Sequence, residues 1–160
     1  MLAKQLATPD AESLVMVAAA HNELRRLPPE ELSSKRVSCL LDVAQFFYIS
    51  GQTVLGLEPA ANAVGAARRI GEPMLLRRAL TFHGILLADT GNVPGAIEVY
   101  AEALDIAQRN CDVVGEGATW NNLGAAFLYA AQYSDSILAS RRALELAEQT
   151  AALESIVSLA

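Results

Sequence analysis

Residues 80–107 read LTFHGILLADTGNVPGAIEVYAEALDIA, and residues 120–147 read WNNLGAAFLYAAQYSDSILASRRALELA. Laid one over the other, Leu80, Gly84, Ala96, Tyr100, Ala103, Leu104 and Ala107 fall on Trp120, Gly124, Ser136, Ser140, Ala143, Leu144 and Ala147, a constant step of forty residues. Small residues returning at fixed offsets mark places where helices approach backbone to backbone. A fixed period means that this packing is stacked along one direction. The same step taken upstream from Ala103, Leu104 and Ala107 reaches Ala63, Val64 and Ala67, so a third copy with a weaker start precedes the two clear ones. Three copies are enough for a stack to bury a continuous core.

Within each copy an apolar pattern of helical period is interrupted once and then resumes. The interruptions are Ser50-Gly51-Gln52, Thr90-Gly91-Asn92 and Ala131-Gln132-Tyr133. Glycine in two of them permits the left-handed conformation that ends a helix. Each copy therefore reads as helix, tight turn, helix. Gly84 and Gly124 on first helices, and Ala103 and Ala143 on second helices, let the paired axes come close. Trp120, Phe127 and Tyr100 fill the space between successive hairpins. The boundaries expected are an N-terminal capping helix or partial repeat over 1–36, repeats over 37–76, 77–116 and 117–151, and the start of a further repeat or cap over 152–160.

These residues resemble the tetratricopeptide repeat. Its signature of a large apolar residue, leucine, a small residue and an aromatic on the first helix, then alanine, aromatic and alanine on the second, is met in the third copy by Trp120, Leu123, Gly124, Phe127, Tyr133 and Ala143. The second copy carries Leu80, Gly84, Leu87, Gly91, Ala96, Tyr100 and Ala103, with His83 where leucine is usual. The first carries Leu40, Val43, Ala44, Phe47, Gly51, Gly56, Ala60 and Ala63. Ser140 and Ala60 replace the usual aromatic of the second helix. The forty-residue period resembles the long-helix variants of bacterial regulators and of kinesin light chains. The resemblance implies an all-α fold, a right-handed superhelix or α-solenoid of antiparallel helix hairpins.

Composition agrees. The 160 residues are 52% hydrophobic and rich in alanine, with only 6% aromatic residues, and no alternating strand pattern bounded by hairpin turns is present. A net charge of −6 disfavours a nucleic-acid surface, which is ordinarily basic. Cys39 and Cys111 lie far apart, on different expected helices and at no metal-ligand spacing, which reads as two buried thiols in a reducing compartment. The N-terminus has no signal-peptide pattern, and Leu14 to Ala20 is too short to cross a bilayer, so a cytoplasmic protein without a membrane partner is expected.

Pro9 to Leu27 reads as one amphipathic helix, with Asp10 as N-cap and Pro28-Pro29 as stop. The next helix begins near Ser33-Ser34. At the other end, Leu153 to Ala160 has the pattern of another first helix, and Ile156, Val157, Leu159 and Ala160 do not make the polar cap that normally closes a solenoid. Either further repeats of a longer protein follow, or a second copy packs there and makes a homodimer through the C-terminal helix.

Catalytic constellations are not found. His21 and His83 lack partners at metal-ligand spacing, and His83, in place of a core leucine, reads as a partly buried, locally bonded side chain. Gly115-Glu116-Gly117 lacks the lysine and strand of a phosphate loop and is expected in the linker between repeats. The chain reads as a binding protein without enzymatic activity, metal or cofactor.

The surface for binding follows from the resemblance, in which first helices line a concave groove. The side chains expected there are Ser38, Leu41, Gln45, Tyr48 and Ile49 in the first copy, Arg78, Thr81, Ile85, Ala88 and Asp89 in the second, and Ala118, Asn121, Ala125, Leu128 and Tyr129 in the third. Asn121 and Asn122 offer amides to a peptide backbone and Arg78 a fork to a carboxylate. The cationic clamp with which some tetratricopeptide domains hold a C-terminal carboxylate is mostly missing, because Leu41, Gln45, Asn122 and Ala125 stand at its positions. The expected function is a protein-interaction or sensory module that binds a protein or peptide segment, the N-terminal regulatory part of a larger bacterial signalling protein. The alternatives are a small-ligand receptor with a pocket near Tyr48, His83 and Tyr129, and a self-association module.

Overall fold

The computed structural model describes residues 33–157, together with Val15, Val17, Leu24 and Arg26, which are helical. The rest of the expected helix over Pro9–Leu27, with Asp10 and His21, and residues 158–160 lie outside the described residues, as do the side chains of residues 152–157. Over residues 33–157 six long helices follow one another: α1 Ser34–Ile49, α2 Thr53–Ile70, α3 Pro73–Asp89, α4 Val93–Arg109, α5 Val113–Tyr129 and α6 Tyr133–Val157. They pair as the hairpins α1/α2, α3/α4 and α5/α6. Each hairpin packs on the next through α2 against α3 and α4 against α5, and the first helices α1, α3 and α5 also touch in turn. The chain is thus an all-α superhelix of repeated hairpins.

The turns have a finer period than the hairpins. Among the described residues those with positive φ are Gly51, Gly71, Gly91, Cys111 and Ala131, one every twenty positions, so turns within and between hairpins are built alike. In four of them the backbone closes as a Schellman motif. The amides of Gln52, Asn92, Asp112 and Gln132 donate to the carbonyls of Phe47, Leu87, Ala107 and Phe127 at 2.8–2.9 Å, and the amide of each positive-φ residue donates three positions back. Gly71 makes the simpler bond to Ala67 at 3.1 Å. Side chains add to the caps: Ser50 Oγ, Thr90 Oγ1 and Asn110 Nδ2 donate to the carbonyls four residues earlier at 2.6–2.7 Å.

Three local expectations are corrected by this geometry. The third turn is Ala130-Ala131-Gln132, one residue earlier than read, and Tyr133 opens α6. Cys111 is not a buried helical thiol. It occupies an exposed turn at φ 55°, while Cys39 is buried in α1. Gly115 and Gly117 lie inside α5 rather than in a linker, where Asp112 caps the helix by accepting from the Gly115 amide at 2.9 Å. The chain also does not turn near residue 151, where the period would place a sixth left-handed residue, because α6 continues unbroken to Val157.

The core sits in the seams. Between the first two hairpins it holds Val37, Leu41, Ala63, Val64, Ala67, Leu75, Ala79, Leu80 and Ala103. Between the second and third it holds Ala96, Tyr100, Leu123, Ala126 and Ala139, with Trp120 and Phe127 packed against them. The small residues do what the repeat implies. A Cβ on Gly84 would lie 2.5 Å from Tyr100 Cε1, and one on Gly124 would lie 2.8 Å from Ser140 Oγ. Ser136 Oγ donates to the Gly124 carbonyl at 2.8 Å, locking α6 to α5. At the N-terminal end Val17 and Leu24 line a hollow with Leu40, Val43, Phe47 and Leu55.

Candidate functional site

The contact between successive first helices leaves two shallow troughs, because each helix presents its polar edge where the apolar seam ends. The first, about 240 Å³, lies between α1 and α3 and is lined by Ser38, Leu41, Asp42, Gln45, Arg77, Arg78, Thr81, Phe82 and Ile85. The second, about 130 Å³, lies between α3 and α5 and is lined by Ile85, Ala88, Asp89, Tyr100, Asn122, Ala125, Ala126 and Tyr129. Ile85 belongs to both. Gln45, Arg78, Thr81 and Ile85 are therefore gathered in one trough, and Ile85, Asn122 and Tyr129 in the other.

Other expected groove residues are placed elsewhere. Asn121 points to a separate hollow on α5 and α6 with Val114, Ala118 and Leu144, so the two neighbouring amides do not act on one ligand. Leu128 is exposed and lines neither trough. Tyr48 stands edge-on to Phe82, with ring centroids 6.1 Å apart. His83 is half-buried and lines neither trough. Its Nδ1 is buried without a hydrogen-bond partner among the described residues, so the locally bonded histidine expected from the sequence is not what the fold provides. Burial pushes its pKa below the usual imidazole range.

Charge is distributed unevenly along the troughs. In the first, burial holds the Asp42 carboxyl above its ordinary pKa, and the Arg78 guanidinium acts in the opposite sense. Arg77 is tied down: its Nε lies 2.8 Å from Asp112 Oδ2, with side chains only 15% and 18% exposed. This ion pair crosses Gly115, where any Cβ would collide with the Asp112 carboxylate and the guanidinium. Arg77 thus fastens α3 to the N-cap of α5, and Arg78 is the guanidinium left facing the trough. The second trough carries Asp89 at its edge and the Tyr100 ring at its floor. Burial, and then the charge of Asp89, raise the Tyr100 pKa, so its hydroxyl stays protonated.

Asp42, Arg77 and Phe82 line the first trough but are not among the groove residues expected from the sequence. The signal was available for two of them, since Asp42 lies three residues before Gln45 and Arg77 four before Thr81, each pair on one helical face. Among the described residues no group of three His, Cys, Asp or Glu side chains could hold a metal ion, and no helix is long and apolar enough to cross a membrane.

Comparison with known proteins fits this architecture. Residues 75–149 match the tetratricopeptide repeat family. This stretch is made of tetratricopeptide repeats. It takes in nearly all of α3, α4 and α5 and most of α6, and the register of α1 and α2 continues it upstream. Two solved structures superpose on the repeats with a TM-score of 0.73. BtubC from P. vanneervenii is 17% identical, with 92% of this chain and 68% of that one covered. Aspartyl phosphate phosphatase F from Bacillus subtilis is 16% identical, with 90% of this chain and 40% of that one covered. Nearly identical TPR-like repeats from Podosopora anserina align with a TM-score of 0.51 at 11% identity, over 86% of each chain. At these identities the likeness is one of fold. The chain spans about two thirds of BtubC and under half of the phosphatase. No curated protein matches the sequence significantly.

Proposed function

We propose that this chain is a protein-interaction module whose tetratricopeptide repeats hold an extended peptide segment across the first helices, from the α1/α3 trough to the α3/α5 trough. The observation that carries the reading is that two troughs of different chemistry share Ile85 and so form one continuous track. Arg78, exposed beside Gln45 and Thr81, suits an acidic or carboxylate group of the ligand. Asn122 offers a donor and an acceptor to a peptide backbone, and Tyr129, 67% exposed above Ile85 and Ala88, suits an apolar anchor. In this reading the chain acts as the interaction part of a larger regulatory protein, in keeping with solved structures of the same fold that run beyond the region it matches. It holds its ligand without chemistry.

Selection of a random displayed peptide library on the purified chain tests the reading. Enriched peptides should bind with an affinity that falls at least about tenfold, or 1.4 kcal/mol, in the double variant Asn122→Ala with Tyr129→Ala. Helical circular dichroism should remain unchanged. Arg78→Glu should weaken those peptides that carry an acidic residue and spare the others. Failure to enrich any peptide, or peptides that bind the double variant as well as the parent chain, would overturn the assignment.

A further inference from the structure

The α3/α5 trough lies where two helices end. Asp89 is the last residue of α3 and Tyr129 the last of α5. The C-terminal end of a helix is the negative pole of its dipole, where basic side chains are favoured and acidic ones are not. Two second helices follow that rule, α2 with Arg68 and Arg69 in its last turn and α4 with Arg109. α3 and α5 have no basic residue in the last turn, and α3 ends on an acid instead. Asp89 is exposed, and among the described residues its carboxylate has no ion-pair partner.

The rest of the trough suits a cation at this point. Of the side chains that line it, only Asp89 is charged. Burial first, and then Asp89 and Tyr48, raise the pKa of Tyr100, which leaves a neutral hydroxyl within electrostatic reach of the carboxylate. The Asp89 carboxylate, the Asn122 amide oxygen and the Tyr100 hydroxyl oxygen all accept hydrogen bonds, and they line one space of about 130 Å³. Ile85, Ala88 and Ala125 supply an apolar wall, along which a methylene stem can lie while its charged head reaches the acceptors. The exposed Tyr129 ring adds a π surface, which attracts a cation. An acidic head would be repelled here, whereas Arg78 stands exposed in the α1/α3 trough and suits one. Walls and floor all belong to α3, α4 and α5.

We propose that the α3/α5 trough takes a lysine or arginine side chain, so that the track selects a segment with an acidic residue over α1 and α3 and a basic one over α3 and α5. This rests on the peptide track proposed above, and the apolar contact at Tyr129 is then made by the stem of the basic residue. The Nα-acetyl methylamides of arginine, lysine and uncharged citrulline are the probes, titrated into the full chain at low ionic strength and followed by amide NMR. Arginine or lysine should shift the Asn122 side-chain amide and the Ile85, Asp89 and Tyr129 backbone signals in a saturable way, and citrulline should not. Asp89→Asn, which alters an exposed side chain, should weaken that binding at least about fivefold. Glu98→Gln removes an exposed acid that lines neither trough and should leave the binding as it is. Peptides enriched from the random displayed library should carry a basic residue at one fixed distance from an acidic one, and selection on Asp89→Asn should lose the basic residue alone. No saturable shift with either cation, an equal response to citrulline, or a loss as large in Glu98→Gln as in Asp89→Asn would overturn the cation site. Enriched peptides without a basic residue would do the same and leave the track standing. Saturable cation binding with no enriched peptide would overturn the track and leave the cation site.

Discussion

At the scale of single residues, the three hairpins solve one contact in three ways. The register that pairs Ala44 with Ala60 in the first hairpin pairs Gly84 with Tyr100 in the second and Gly124 with Ser140 in the third, so the space surrendered by one partner is taken up by the other. Tyr100 is 2% exposed and cannot swing away, whereas Ser140 is exposed and can rotate. Gly84→Ala should therefore destabilise the chain by about 1–3 kcal/mol as an overpacked contact, and Gly124→Ala by less than about 1 kcal/mol. At roughly 2–4 °C per kcal/mol the difference is visible in thermal denaturation, and equal midpoints for the two variants would contradict this account. The neighbouring His83 makes the opposite kind of compromise. Its pKa is lowered by burial, so the folded chain binds the proton less readily than the unfolded one, whose imidazole titrates near 6.5. Its neutral form imposes no such penalty above that value, and stability falls as pH drops through 6.5 towards the depressed folded pKa. His83→Leu, which restores the residue usual in the family and removes the unpartnered Nδ1, should raise the midpoint at pH 7 and raise it further at pH 5.5. An equal gain at both values would show that imidazole protonation plays no part.

At the scale of the element, each helix is set by the turn that ends it, and the turns show how far the sequence was legible. Gly51 and Gly91 were readable because only glycine adopts positive φ without cost, and they located two turns correctly. Cys111 and Ala131 adopt the same conformation without that signal, so the sequence pattern runs helix through one and sets the turn around the other a residue late. The stack imposes the left-handed geometry there through the Schellman hydrogen bonds and the packing on either side, and the side chains are held against their own preference. That preference is worth about 1–2 kcal/mol per residue, partly offset by the extra freedom glycine has when unfolded. Cys111→Gly and Ala131→Gly should each stabilise the chain by about 0.5–1 kcal/mol, while Gly91→Ala should cost a similar amount. Chemical denaturation with an unchanged m-value would measure both signs. Destabilisation by Cys111→Gly would mean that its side chain contributes packing that its exposure does not suggest.

At the scale of the whole molecule, a one-dimensional stack separates what repeats from what does not. The residues that recur every forty positions maintain the seams, and these were legible because the same physical demand is written three times. The track was only half legible. Which flank of a first helix meets its neighbour depends on the rotation between hairpins, a property no single helix encodes, and so Asn122 faces α3 while Asn121 faces the open end. The same linearity governs stability. α3 and α4 are packed on both sides and hold Leu80, Leu86, Tyr100 and Ala103 at 2% exposure or less. Among the described residues α6 packs on α5 alone, and of its described side chains only Ala139 and Leu146 are buried. Because each hairpin draws its stability from its immediate neighbours, the end can open while the middle stays closed. Amide hydrogen exchange should accordingly run at least about tenfold faster over residues 140–151 than over residues 96–107 of α4, a gap of 1.4 kcal/mol or more in opening free energy. Equal protection along α4 and α6 in the free chain would mean that the three hairpins unfold as one unit, and that the open end costs the fold nothing.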